Sequence, residues 1–240
     1  MIQRALINCT YQHTPIPSLR NMRFLVIGGS GRTGKLVIDN ILKRGHQVTA
    51  LVRNPKSLGE ELGLDIVKGT PLNAFDIRNA FSLAVPDVVI VTLSALRATD
   101  SPFAAPISPP RMMADSNANV AHIMKEFGVG KIVVLQAYGA GASWENMPCA
   151  MRLLMSKSNM TFSYEDHNLA EKEIRDSGLT FVLVRPSRLV ETDVIEVREW
   201  PKDGKGVGLM GCASRISVAN FLVTAALETK WDGTAPVITN

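Results

Sequence analysis

The sequence has no run of about 18 apolar residues, which excludes a membrane-spanning helix. Cysteine is scarce. Cys9, Cys149 and Cys212 are odd in number, widely spaced and free of metal-ligand spacing. They argue against a disulfide framework or a metal centre, and read as reduced thiols of a cytoplasmic protein. No block of Lys and Arg tracks a phosphate backbone, and the net charge of +4 is spread along the chain, so nucleic acid is not an expected partner. Residues 1–21 lack the apolar core of a secretory signal. Pro15, Pro17 and Ser18 suggest a flexible extension there, with the folded domain covering 22–240. Internal repeats and an interdomain linker are both missing. A chain of 240 residues with 46% apolar content suits one α/β domain, or one domain with a small lobe.

The richest stretch is 24–55. An apolar segment, Phe24-Leu25-Val26-Ile27, leads into Gly28-Gly29-Ser30-Gly31-Arg32-Thr33-Gly34. A helical pattern follows over 35–44, then a second apolar segment over 48–52. Strand, glycine turn, helix and strand together form a dinucleotide-binding unit. The glycines allow a tight turn and a close backbone approach to pyrophosphate. The helix start offers free N–H groups and a positive dipole end to that anion. The glycines fit both G-x-x-G-x-x-G and G-x-G-x-x-G, so spacing alone does not choose a register. An NAD site would carry Asp or Glu at the end of the second strand; this chain has Arg53, and the next acid is Glu60. A guanidinium there suits the 2′-phosphate of NADP(H), or is simply a solvated charge. Arg32 offers a second cation.

The remaining pattern alternates. Short helical character at 57–62 precedes strands at 65–67 and 87–93, with a helix at 73–83 between them whose Ile77, Ala80 and Phe81 share one face. A Pro- and Ser-rich loop over 94–110 leads to a helix at 112–127 and a strand at 131–135. A glycine-rich loop over 136–148 carries Tyr138 and Trp144. Helices at 149–157 and 164–176, a strand at 180–184 stopped by Arg185-Pro186, and a strand at 193–197 come next. A mobile turn region at 201–211, a helix at 217–228 and a strand at 235–239 complete the chain. Such alternation predicts a doubly wound parallel sheet with helices on both faces.

These segments resemble the atypical short-chain dehydrogenase/reductases of the NAD(P)-binding, NmrA-like group, most of all its biliverdin-IXβ reductase or flavin reductase branch. The resemblance covers about 22–238. It rests on Gly28 to Gly34, on Val48-Thr49-Ala50-Leu51-Val52-Arg53, and on Asp87-Val88-Val89-Ile90-Val91. Asp166-His167, Arg175-Asp176-Ser177-Gly178-Leu179-Thr180-Phe181, Arg185-Pro186, Asp203-Gly204-Lys205-Gly206 and Ser214-Arg215-Ile216-Ser217 extend it. It implies a Rossmann-like fold with a small C-terminal substrate lobe, bound NADP(H), and a flat, conjugated small-molecule acceptor. Carried over by position, Gly28, Ser30, Gly31, Arg32, Thr33 and Gly34 would hold the pyrophosphate and Arg53 the 2′-phosphate. Thr70 and Pro71 would flank the adenine. Leu93, Ser94, Ala95, Ala137 and Pro186 would line the ribose and nicotinamide side. The chain departs from the pattern twice: Gly69-Thr70 stands for Gly-Asp, and Gln136-Ala137-Tyr138 lacks the family's serine.

The Tyr-x-x-x-Lys pair of short-chain dehydrogenases is not evident. Tyr164 is followed by Asn168, and Lys172 lies two helical turns away, ~12 Å. His167 is the candidate proton donor, with Glu171 one turn on to orient it, or else a solvated histidine. Tyr138 and Trp144 are candidates for catalysis and substrate stacking, or loop aromatics covering the core. Arg188 would hold a substrate carboxylate, or is a surface charge. The expected function is an NADPH-dependent reductase. A redox sensor without turnover and a non-redox cyclase or isomerase are the alternatives, and a monomer or weak homodimer is the expected assembly.

Overall fold

The computed structural model describes residues 21–240, so the expectation of a flexible extension falls almost wholly outside the described residues. The core strands are β1 (Arg23–Ile27), β2 (Gln47–Val52), β3 (Leu64–Lys68), β4 (Val88–Val91), β5 (Lys131–Leu135) and β6 (Thr180–Pro186). Between them run α1 (Arg32–Lys43), α2 (Ala74–Leu83), α3 (Met112–Glu126), α4 (Cys149–Ser156) and α5 (Met160–Asp176). After β6 come β7 (Arg188–Val190), β8 (Arg198–Trp200), the short turn α6 (Pro201–Gly204), β9 (Cys212–Ser214), α7 (Arg215–Leu227) and β10 (Val237–Thr239). The main sheet has the order β3-β2-β1-β4-β5-β6-β10-β8. Its pairings are parallel except β10 with β8, at the edge.

Side chains alternate across this sheet, and the alternation divides the core. Phe24 and Val26 of β1, Ile90 of β4, Val133 of β5 and Val184 of β6 face α1 and α7, packing near Val37, Ile41, Leu222 and Val223. Leu25, Ile27, Val89, Ile132 and Leu183 face α2, α3 and α5, packing near Phe81, Ile123, Met124 and Ile174. Each such aliphatic or aromatic side chain contributes roughly 1.5–3 kcal/mol by leaving water. Both faces are covered, so the central strands read as continuous apolar runs. Among the described residues, no helix is long and apolar enough to cross a membrane, and no cluster of His, Cys, Asp or Glu could hold a metal ion.

Several boundaries differ from the sequence expectation, each for a local reason. Helix α1 starts at Arg32, because Gly31 serves as its N-cap. The helical piece expected at 57–62 is a single turn, Pro55–Ser57, begun by Asn54, whose side chain accepts from the Lys56 amide. Strand β6 continues through Arg185 and Pro186 because β10 runs beside it, with the Arg185 N–H bonded to the Pro236 carbonyl. Helix α5 starts at Met160, whose N–H donates to the Ser158 hydroxyl. The strand expected at 193–197 is absent; β8 forms just beyond it, where Trp200 Nε1 donates to Thr239 at 2.9 Å. The segment after β6 adds a separate two-stranded sheet, β7 with β9, and Trp200 and Val207 join a cluster around Tyr138. Leu189, Val197 and Ala213 pack into the main core beside α7.

One contact locks the helical layer. Asp166, on α5, accepts from the Met113 and Ala114 amides at 2.8 and 2.9 Å. It is 4% exposed and serves as the missing cap of α3, whose own N-cap residue, Arg111, makes no capping bond. Asp166→Ala should lower stability by about 2 kcal/mol, and Asp166→Asn by less, since one acceptor oxygen remains. Urea unfolding of the three proteins measures this; an unchanged midpoint in Asp166→Ala would contradict the capping role.

Candidate functional site

The order in which strands are added reverses between β1 and β4, so the connections after these two parallel strands run to opposite sides and leave a crevice at the strand carboxyl ends. A cleft of about 370 Å³ occupies it. Its floor is Gly28, Ser30 and Gly31; one wall is Arg53 with Thr70 and Pro71; the other is Thr92, Leu93 and Ser94. Leu96, Ile107, Ser108 and Pro109 overhang it, and Met112 and Ser116 of α3 close the side.

The local geometry is that of an anion cradle. Gly28 has φ +83°, and a Cβ on it would lie 3.0 Å from the Thr92 carbonyl oxygen. At Gly34 a Cβ would run into the Gly28 carbonyl oxygen and the Gly29 Cα. Only glycine lets α1 approach the β1 turn this closely. Gly31 caps α1 with no side-chain hydrogen bond, and no acid occupies the first turn. The dipole end of α1 is left to an external anion. Ser116 is fully buried, lines the cleft, and its hydroxyl has no partner. A dinucleotide fits these groups: diphosphate at the α1 start, a hydroxyl ligand for Ser116, and Arg53 at the end of β2.

The structure brings together Gly28, Ser30, Gly31, Arg53, Thr70, Pro71, Leu93 and Ser94. It does not bring the rest there. Arg32 is exposed and pairs loosely with Asp100 and Glu191, each at 3.8 Å. Thr33 is buried and accepts from Arg215 at 3.2 Å. Gly34 packs under the turn. Ala95 lines a second cavity. Ala137 and Pro186 line neither cavity, and Pro186 spends its carbonyl on the Tyr138 N–H. Thr92, Ser116 and the overhang at 96 and 107–109 had no signal in the sequence beyond the Pro- and Ser-rich loop.

The candidate catalytic groups are corrected. The Tyr138 phenol is buried and donates to the Asn146 carbonyl at 2.6 Å. Burial also raises its pKa, so the phenol keeps its proton and holds it on that carbonyl. Tyr164 donates to the Tyr138 carbonyl at 3.0 Å. Burial pushes its pKa up to about 12, against a lowering pull from Arg97. Trp144 packs edge-on to Tyr164 in a satellite cluster with Met147, Met155 and Trp200, and lines neither cavity. Arg188 is exposed on β7 and lines neither cavity. His167 is buried, and its ring stands edge-on to Tyr164. Glu171 does not orient it; that carboxylate binds Arg185 and Arg175. Burial, with the Arg185 charge second, lowers the His167 pKa to about 4. A neutral imidazole is no general acid at neutral pH. Gln136, standing where the resemblance calls for serine, donates to the His167 carbonyl and accepts from Arg185. The Thr70 departure has a similar explanation: Asp76 accepts the Thr70 N–H at 2.9 Å.

Residues 28–229 match the NAD(P)H-binding family model, which spans most of the chain: the protein belongs to this family. A 3-diazoavenalumate denitrifying reductase from Streptomyces is 31% identical over 113 residues, 47% of this chain. The matched stretch is 36% of that relative's length, so the chain spans about a third of it. Among solved structures, an anaerobillin reductase from Escherichia coli O157:H7 superposes with TM-score 0.73 at 16% identity, covering 90% of this chain and 96% of that one. A short-chain dehydrogenase/reductase from Veillonella parvula in complex with NADP gives 0.73 at 13% identity, covering 91% and 94%. The fold is therefore Rossmann-like, as in these solved structures.

Burial of His167 has a pH consequence. Its native pKa lies below the ordinary 6.5, so the unfolded chain takes up the proton first. The stability tied to the neutral ring is complete above pH 6.5 and is lost as pH falls toward 4. Relative to His167→Gln, the parent should lose up to about 3 kcal/mol more over that window. Urea midpoints at matched pH values measure the difference; parallel pH profiles would contradict it.

Proposed function

We propose that this member of the NAD(P)H-binding family is an NADPH-dependent reductase that delivers hydride to a flavin-like or other flat, conjugated small molecule. The observation that carries the cofactor preference is Arg53, lining the cleft at the end of β2 where an NAD site would place a carboxylate. A guanidinium can hold two phosphate oxygens at once and keeps its charge at every physiological pH.

When bound, the dihydronicotinamide supplies the hydride. The protein's own part is positioning. The open start of α1 holds the diphosphate, and Arg53 holds the 2′-phosphate. Ser116 satisfies its hydroxyl on the cofactor, and the overhang of Leu96, Ile107 and Pro109 excludes water. No side chain here relays a proton, since Tyr138 and Tyr164 donate to backbone carbonyls and His167 is neutral. The proton therefore comes from solvent, which suits an acceptor whose reduced form gains its proton readily, such as a flavin or a conjugated chromophore. Unpaired Cys149 and Cys212 agree with a reducing, cytoplasmic setting.

Calorimetric titration should show NADP(H) bound more tightly than NAD(H). Arg53→Ala should remove on the order of 1–3 kcal/mol from the NADP(H) affinity and leave NAD(H) nearly unchanged. Equal affinities in the parent would refute the preference. A panel of flavins and other flat acceptors, followed at the NADPH absorbance band, tests the activity. Tight cofactor binding with no oxidation by any acceptor would instead establish a sensor.

A further inference from the structure

A second cavity of about 330 Å³ lies behind the 94–110 overhang, between it and α5. Leu96, Ser108 and Pro109 form the partition, since they line both this cavity and the cofactor cleft. Its surface is largely apolar, built from Pro106, Phe162 and Leu169 among others, yet it contains a cation that no carboxylate pairs with among the described residues. The Nε of Arg97 is buried and has no hydrogen-bond partner, and among the described residues Arg97 forms no ion pair.

Two of the three neighbouring charged groups are committed elsewhere, and Glu165 is not. Arg111 pairs with Asp115 at 3.0 Å and Glu173 at 3.1 Å. Asp166 caps α3. Glu165 is exposed and makes no ion pair with Arg97. Nor is Arg97 on a loose loop. It forms a single antiparallel bridge with Pro106, Leu96 accepts from Ile107 at 2.8 Å, and Asn159 ties the hairpin tip to α5 through the Phe103 carbonyl at 3.0 Å. The Arg97 charge reaches the half-buried Tyr164 phenol, on whose pKa it exerts a lowering pull. Arg97 is half-buried with its Nε unsatisfied, and a guanidinium fork matches a carboxylate.

We propose that Arg97 anchors the carboxylate of a flat, conjugated small molecule in this cavity, alongside the cofactor cleft. The apolar walls cover the ring system, and the thin partition sets its free edge next to the cofactor. The identification of that molecule as substrate rests on the reductase reading above; the anion site itself does not. Arg188, the carboxylate anchor expected from sequence, lines neither cavity.

Binding of 2-naphthoate and of its uncharged methyl ester to the NADP⁺-loaded protein tests the proposal, read by saturation-transfer NMR and calorimetry. The parent should bind naphthoate, and Arg97→Gln should weaken it about tenfold or more, while the ester binds both proteins alike. Arg97→Lys should fall between, keeping charge without the fork. NADP⁺ affinity should be the same in parent and Arg97→Gln, which verifies that the variant is folded. Equal naphthoate binding by the two, no naphthoate binding by the parent, or competition between naphthoate and NADP⁺ would each overturn it. Because naphthoate binding is read without turnover, failure of the reductase reading would appear separately, as absent NADPH oxidation.

Discussion

The close approach of α1 to the turn after β1 is the constraint from which the site follows. A side chain at Gly34 would collide with the Gly28 carbonyl and the Gly29 backbone, so the helix can begin directly under the strand end only because glycine stands there. That seating aims an uncapped helix start at the crevice between β1 and β4. The protein leaves those amides without a side-chain cap, which is unfavourable in an isolated helix and favourable once an anion arrives. Ser116 repeats the arrangement on the opposite wall, buried and without a partner.

Much of this was legible in the sequence, because it depends on short-range chemistry. Continuous apolar strands, the glycine spacing and Arg53 at the end of β2 are local signals, and each stands in the fold where its neighbours in sequence imply. The catalytic reading was less legible for a physical reason. Tyr138, Tyr164 and His167 have the right chemistry, but availability is set by partners distant in sequence. The Asn146 carbonyl accepts the Tyr138 hydroxyl, and burial, with the Arg185 charge second, keeps His167 neutral. Glu171, one turn from His167, binds Arg185 across α5 and β6 instead. A helical spacing rule sees only the neighbour on the same helix.

The overhang was the least legible part. Residues 94–110 read as a loop because Pro and Ser dominate, yet backbone bonds between 96 and 107–108, and between 98 and 105, make it a hairpin. Arg111, at φ +60°, turns the chain from this hairpin into α3 and is held by two carboxylates. The hairpin therefore forms a partition, with the cleft at the β1 turn on one side and an apolar cavity lined by Arg97 on the other. In the proposed reading this hairpin and α5 select the substrate; the segment after β6, where the sequence suggested a substrate lobe, divides between the main core and the cluster around Tyr138.

The central claim is that the cofactor lies across the β1 turn, with its diphosphate on α1 and its 2′-phosphate at Arg53. Amide hydrogen exchange with and without NADPH tests it most directly. Under conditions where calorimetry shows the cofactor bound, protection should rise over residues 30–35, 53–54 and 69–72 and leave β7 to β9 unaffected. Bound NADPH with unchanged exchange at 30–35 would contradict the account.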